Sequence, residues 1–236
     1  EEAEALLTSV RERQRPFPKV GPGPDLRALE GFPKMAVKAA QQVVGPDKPE
    51  YNPLYLWSPE GDRGRALLAA AGRTFQSTHP EARMAVTSVA AFAQDFIRAL
   101  GEGVAGAWRE RWWTVDALLI HGVEALSETE RAQDEFFHLF EALKRRGARV
   151  MLVGDRPPSG IDRIDDRLRS RFEGGLVLEV EGGASGERLE LLTSPEPQAK
   201  TGPFAGLQPP ATAPGQRPAA ASPGRGPAAG SPTKGP

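Results

Sequence analysis

Residues 57–72 read WSPEGDRGRALLAAAG and follow YNPLYL at 51–56. An apolar run leads into a turn with two glycines, and an Ala/Leu-rich helix former comes next. That is the layout of a strand, a phosphate loop and the helix whose N-terminus faces the phosphates. The chemistry of such a loop is incomplete here, because no Lys followed by Ser or Thr stands in the stretch.

Working outward, the same alternation continues. LYLW (54–57), RMAVTSV (83–89), VDALLIHG (115–122), ARVMLVGD (148–155) and GLVLEVE (175–181) are predicted strands. VDALLIHG and ARVMLVGD are near-continuous apolar runs, as in parallel sheets covered on both faces. Between them lie helix patterns at 64–76, 90–103, 127–147 and 162–172, and earlier ones at 1–14 and 25–44. Ser127 with Glu130 three residues on reads as a capping box, and Gly147 as the C-terminal stop. Strands alternating with helices imply right-handed βαβ units in a layered α/β domain with a parallel sheet. Residues 25–194 are taken as the folded unit, 1–24 as an N-terminal helix and linker, and 195–236 as a disordered Pro/Gly/Ala-rich tail that cannot bury a core. The chain begins at Glu1, which marks it as processed or as an excerpt.

The net charge is −1, so bulk charge points to no nucleic-acid or membrane partner. The absence of cysteine excludes disulfides, thiolate catalysis and Cys-ligated zinc, and fits the cytoplasm. No apolar run approaches the ~18 residues of a membrane span.

Tyr51–Glu181 resembles the ATPase domain of the bacterial replication initiator DnaA and DnaA-related regulators of the AAA+ class. The resemblance rests on YNPLYLW (51–57), AAFAQDFIRAL (90–100), WWTVDALLI (112–120), ERAQDEFFHLFEAL (130–143), VMLVGDRPP (150–158) and DRLRSRFEGGLVLEV (166–180), with a weaker match at 29–44. It implies a three-layer P-loop-NTPase-like core. The family's small lid domain, due after residue 181, is expected to be missing.

The departures lie in the chemistry. Aligned without gaps, Ser58 and Arg63 replace the two loop glycines, Gly64 the Lys and Arg65 the Ser/Thr, with Gly61 between. One inserted residue would instead put Gly64, Arg65 and Ala66 in the Gly-Lys-Ser/Thr places, which still lacks the magnesium hydroxyl. Pro59 removes an N–H, and Glu60 and Asp62 bring negative charge to the site. In the second motif, opened by Asp116, the two acidic positions hold His121 and Gly122. Glu124 stands on the wrong strand phase to replace them. No ATP hydrolysis is therefore expected, no metal site, and no cofactor beyond weak ATP or ADP binding.

By the same resemblance Arg171 matches the arginine finger, Asp155 the sensor I position and Arg131 a position that touches single-stranded DNA, whose companion position holds Ala93. Asp155 alternatively caps the RPPSG turn. Phe136, Phe137, Phe140 and Leu143 read as core, as do Trp108, Trp112 and Trp113, with a partner-facing patch as the alternative. His79 and His138 are too isolated to hold a metal. The chain thus reads as a degenerate AAA+ module acting through protein contact, with docking on an active AAA+ ATPase through Arg171. The alternatives are a nucleotide-binding regulator of replication initiation and a single-stranded DNA-binding remnant.

Overall fold

In the computed structural model, which describes residues 2–180, the strands β1 (Leu54–Trp57), β2 (Met84–Ser88), β3 (Ala117–His121), β4 (Arg149–Gly154) and β5 (Leu176–Glu179) form one sheet. Its order is β2-β3-β4-β1-β5 and every pairing is parallel. The expected α/β core is therefore present. The expectations of a disordered tail and a missing lid lie outside the described residues.

Alternating strand residues build the two cores. Leu54, Leu56, Leu119, Met151 and Val153 face α2 (Lys34–Val44) and α3 (Asp62–Thr78). Tyr55, Leu118, Ile120, Val150 and Leu152 face α4 (Val89–Gly101), α5 (Ala105–Trp113), α6 (Glu130–Arg146) and α7 (Asp166–Glu173). Period-2 alternation in strands buried on both faces produces this three-layer arrangement.

Three local expectations are corrected. The Trp-rich stretch, absent from the predicted helices, forms α5, with Trp108 and Trp112 buried and Trp113 half-buried. The cap of α6 is Thr129, whose side chain accepts from Ala132 N at 3.2 Å. Ser127 instead lies in the 3-10 turn Val123–Glu128 and bonds Glu124 O. Phe137 is only half-buried, with the Arg167 guanidinium 4.8 Å over its ring.

The N-terminal helix α1 (Glu2–Gln14) packs on α5. Its buried Glu12 meets Arg98 at 2.8 Å and Arg111 at 3.2 Å. Asp95, between them on α4, accepts from Arg98, Arg111, Arg15 and the Trp108 indole. From there the chain passes from one face of the sheet to the other. Phe17 packs edge-on against Trp112 in one core, Val20 joins the other core, and Arg73 holds the carbonyls of Gly21 and Pro24.

Candidate nucleotide cleft

In parallel α/β sheets, ligand sites form beyond the carboxyl ends of the strands. Because β3, β4 and β1 are neighbours, the loops that follow them meet at that edge.

After β1, Ser58 N donates to Gly154 O at 3.2 Å, and Gly61 N donates to Ser58 O at 2.8 Å. This closes a turn over Pro59 and Glu60. Gly61, at φ +71°, then opens α3, which has no side-chain cap. The positive φ explains glycine there. Gly64 is glycine for a different reason: a Cβ at this position would lie 2.6 Å from Val153 Cγ1. The first turn of α3 is seated on β4, and a side chain at 64 would require Val153 to shift. Arg65 pairs with Asp62 within the same turn. Arg63 lies 4.5 Å over the Phe32 ring and donates to Gly31 O.

At the end of β3, His121 is buried, and its pKa is pushed down to about 4, first by burial and then by the positive charge of Arg65. The imidazole is therefore neutral at physiological pH. Gly122, in the left-handed region at φ +73°, ends the strand and starts the 3-10 turn. That reversal carries Glu124 back to the sheet edge, where its Oε2 accepts from Asp155 N at 3.3 Å. Burial and the neighbouring Asp155 raise the Glu124 carboxyl above the usual carboxylate range. The sequence reading set Glu124 aside on strand phase, but strand phase ends at Gly122. A glycine directly after the strand was the signal that could have revealed the turn.

The loop after β4 completes the edge. Asp155 takes Arg156 at 2.7 and 2.8 Å. The Tyr55 hydroxyl donates to Arg156 O at 2.9 Å, and a Cβ on Gly154 would overlap that hydroxyl. The Tyr55 pKa is raised by burial, then by Glu124 and Asp155.

The structure brings Ser58, Gly61, Gly64, Arg65, His121, Gly122 and Asp155 to the edges of these three neighbouring strands. It leaves Asp116 out, because this residue precedes β3 at the other end of the sheet and accepts from Arg83 N there. Arg171, on α7, donates to Glu141 of α6 at 2.6 Å and holds that carboxyl below its ordinary range. Arg131 is exposed in the first turn of α6, while Ala93 is buried in α4. His79 stacks on Phe75 at 4.5 Å, and His138 flanks Phe137 at 6.0 Å. Among the described residues, no group of three or more His, Asp or Glu could hold a metal ion.

These residues do not fit the magnesium–nucleotide chemistry that the layout implies. Magnesium at a phosphate loop needs a hydroxyl and an ionised carboxylate. Arg65 and Ala66 offer no hydroxyl, and a neutral imidazole stands at the first acidic position. Glu124, half-buried at this edge, is turned to a backbone N–H, and its carboxyl is raised above the usual carboxylate range.

Comparison with known proteins agrees with the fold. Residues 31–179 match the bacterial DnaA ATPase domain. The chain is 34% identical to the chromosomal replication initiator protein DnaA of Corynebacterium aurimucosum over 159 residues, which is 67% of this chain and 29% of that protein. It therefore spans under a third of the length of the curated relatives it matches. AMPPCP-bound DnaA from Aquifex aeolicus superposes with a TM-score of 0.63 at 33% identity, covering 68% of this chain and 51% of that one. Domain III of DnaA from Thermotoga maritima gives 0.65 at 29% identity, covering 70% and 69%. DnaI, at 14% identity and a TM-score of 0.56, shares the fold. With its sheet order, its six sequence blocks and this match in accord, the chain belongs to the bacterial DnaA ATPase domain family.

Proposed function

We propose that this chain is a DnaA-type regulator of chromosomal replication initiation whose cleft does not turn over ATP. Family membership supports the initiation role. Of the readings the sequence left open, it favours the regulator over a module defined only by docking. The observation that carries the loss of turnover is the environment of His121. A neutral, buried imidazole beside Arg65 occupies the position from which a carboxylate would hold magnesium. Hydrolysis requires that cation and a water-orienting group. The chain acts in the cytoplasm, where the chromosome is.

Nucleotide binding without turnover is the second reading. It is favoured by the uncapped N-terminus of α3 and by the AMPPCP-bound state of the Aquifex aeolicus relative. Another solved DnaA is bound to AMPPCP and single-stranded DNA. For this chain, exposed Arg131 is the residue through which a DNA strand would be held. Docking on an active AAA+ ATPase rests on Arg171, which would have to exchange Glu141 for a partner's phosphate.

Steady-state phosphate release and calorimetric titration with ATP and ADP test the proposal. No release above that of an Arg65→Ala control is expected. Turnover above that control would overturn it.

A further inference from the structure

Helix α1 meets the rest of the chain through charged side chains and leaves a short apolar stripe exposed. Its docked side is charged: Glu12 is buried against Arg98 and Arg111, and Arg13 pairs with Glu110 of α5. Its exposed surface is mixed: Glu2, Glu4, Arg11 and Gln14 are exposed, and among them Ala3, Leu6, Leu7 and Val10 form one apolar stripe. Leu6 is 64% exposed, Leu7 56% and Val10 36%, the three making up most of the large exposed apolar side chains among the described residues. Ala3, Leu6, Leu7 and Val10 follow the 3–4 spacing of a helix-pairing seam. Water is an unfavourable surrounding for this stripe, and a helix of this length has little stability of its own.

The flanks of the stripe are ordered by charge. Glu2 and Glu4 lie in the first turn, and Arg11 and Arg13 in the last. Glu4 and Arg11 are seven residues apart and so share one flank of the stripe. In an antiparallel pair related by a two-fold axis, the same flank of each helix faces the other copy. An axis near Leu7 sets Leu7 against its symmetry mate, brings Ala3 and Leu6 toward Val10 of the second helix, and sets Glu4 opposite Arg11 at both ends. A parallel arrangement would put like charges side by side. We infer that α1 is a self-association helix and that the occupant of its apolar face is α1 of a second copy of this chain. The apolar seam from Ala3 to Val10 is ~11 Å long at 1.5 Å per residue. It is therefore short of the ~1,200 Å² of a permanent interface, and the dimer is weak and dependent on concentration.

The test is analytical ultracentrifugation of the full chain from low micromolar to several hundred micromolar, with thermal unfolding run alongside. The wild-type mass is expected to rise toward that of a dimer. Leu6→Glu/Leu7→Glu is expected to stay monomeric with an unchanged Tm, since neither side chain is buried. Glu4→Arg and Arg11→Glu separately oppose like charges across the two-fold and are each expected to be monomeric. Mixed in equal amounts they restore both attractive pairs, and the dimer is expected to return. A wild-type chain that stays monomeric throughout would overturn the inference and leave the stripe to a different protein. Undiminished association of Leu6→Glu/Leu7→Glu, or a mixture no more associated than its components, would overturn it equally. This inference is independent of the nucleotide reading.

Discussion

Replacing Gly64 by Ala tests whether the degenerate loop is a packing device. In an exposed helix interior this change would stabilise by about 1 kcal/mol, because glycine carries more backbone entropy. Here the added Cβ lands 2.6 Å from Val153 Cγ1. That is about 1 Å inside a comfortable carbon–carbon contact. Val153 is buried in a central strand, and its branched side chain has little rotamer freedom to yield. Overpacking of this kind costs roughly 1–3 kcal/mol, and the depth of this overlap puts it in the upper half of that range. The clash outweighs the propensity gain, leaving a net loss of about 1–2 kcal/mol, or a Tm lower by about 2–8 °C for a domain of this size. Val153→Ala alone should cost roughly 2–3 kcal/mol in lost burial. In the double variant the new methyl enters the space that Val153 vacates. The two effects should therefore fall short of additivity by about 1–2 kcal/mol, measured by urea denaturation of all four proteins. Additive losses, or a Gly64→Ala chain as stable as wild type, would refute the reasoning. Gly64→Lys meets the same obstacle at its Cβ, so returning the missing ammonium group is not expected to restore a working loop.

The remaining expectations concern charge. His121 has a folded pKa of about 4 against an ordinary 6.5, so the unfolded chain binds its proton first. Its contribution is complete above pH 6.5 and is lost as pH falls toward 4, up to about 3 kcal/mol by linkage. Glu124, with a raised pKa, works in the opposite direction, so the difference between wild type and His121→Asn isolates the histidine. A stability difference independent of pH between 4 and 7 would contradict the assignment. Asp95→Asn leaves Arg111 buried with half its compensation and should cost roughly 3–5 kcal/mol. Limited proteolysis should then show cleavage between α1 and residue 33 before the core opens, and uniform protection would argue against anchoring of α1 through Asp95 and Arg111. Arg171→Ala removes a half-exposed pair and should change stability by less than about 1 kcal/mol. Recovery of an AAA+ partner that is the same with and without nucleotide, and with and without the mutation, would remove Arg171 from any finger role.

The sheet was legible because VDALLIHG and ARVMLVGD are too apolar for anything except strands covered on both faces, and because each helix pattern filled the space between two strands. The positions of the cleft loops followed from that order. What escaped the sequence was set by single residues acting over a few ångströms. Gly122 breaks strand phase and so places Glu124. Val153, far from Gly64 in the chain, decides what Gly64 is for. Helix α5 was hidden because its apolar residues are tryptophans interleaved with arginines, whose charges Asp95 and Glu135 take up only in the folded chain. The docked side of α1 was hidden for the same reason, since its contacts are ion pairs and not an apolar stripe.

Loss of turnover and loss of nucleotide binding are separable here, and the magnitudes decide how. Every arginine near the cleft is engaged: Arg65 with Asp62, Arg63 with Gly31 and Phe32, Arg156 with Asp155. Exposed pairs of this kind are weak, because water screens them. A phosphate offers a charge-assisted bond worth about 1.5–3 kcal/mol, so it would displace such partners without difficulty. The internal pairs are therefore no barrier to a phosphate that reaches the loop. What no exchange of partners can supply is an ionised carboxylate at 121 or 122, or a hydroxyl at 65. The turn that brings Glu124 back to the edge aims it at Asp155 N and raises its pKa, which disfavours the charged form that a cation would need. On the proposed reading, a cleft built this way would tolerate an anion without organising a divalent cation. Any nucleotide held here would accordingly remain intact and serve as a ligand, and the calorimetric and phosphate-release measurements should part company on that point.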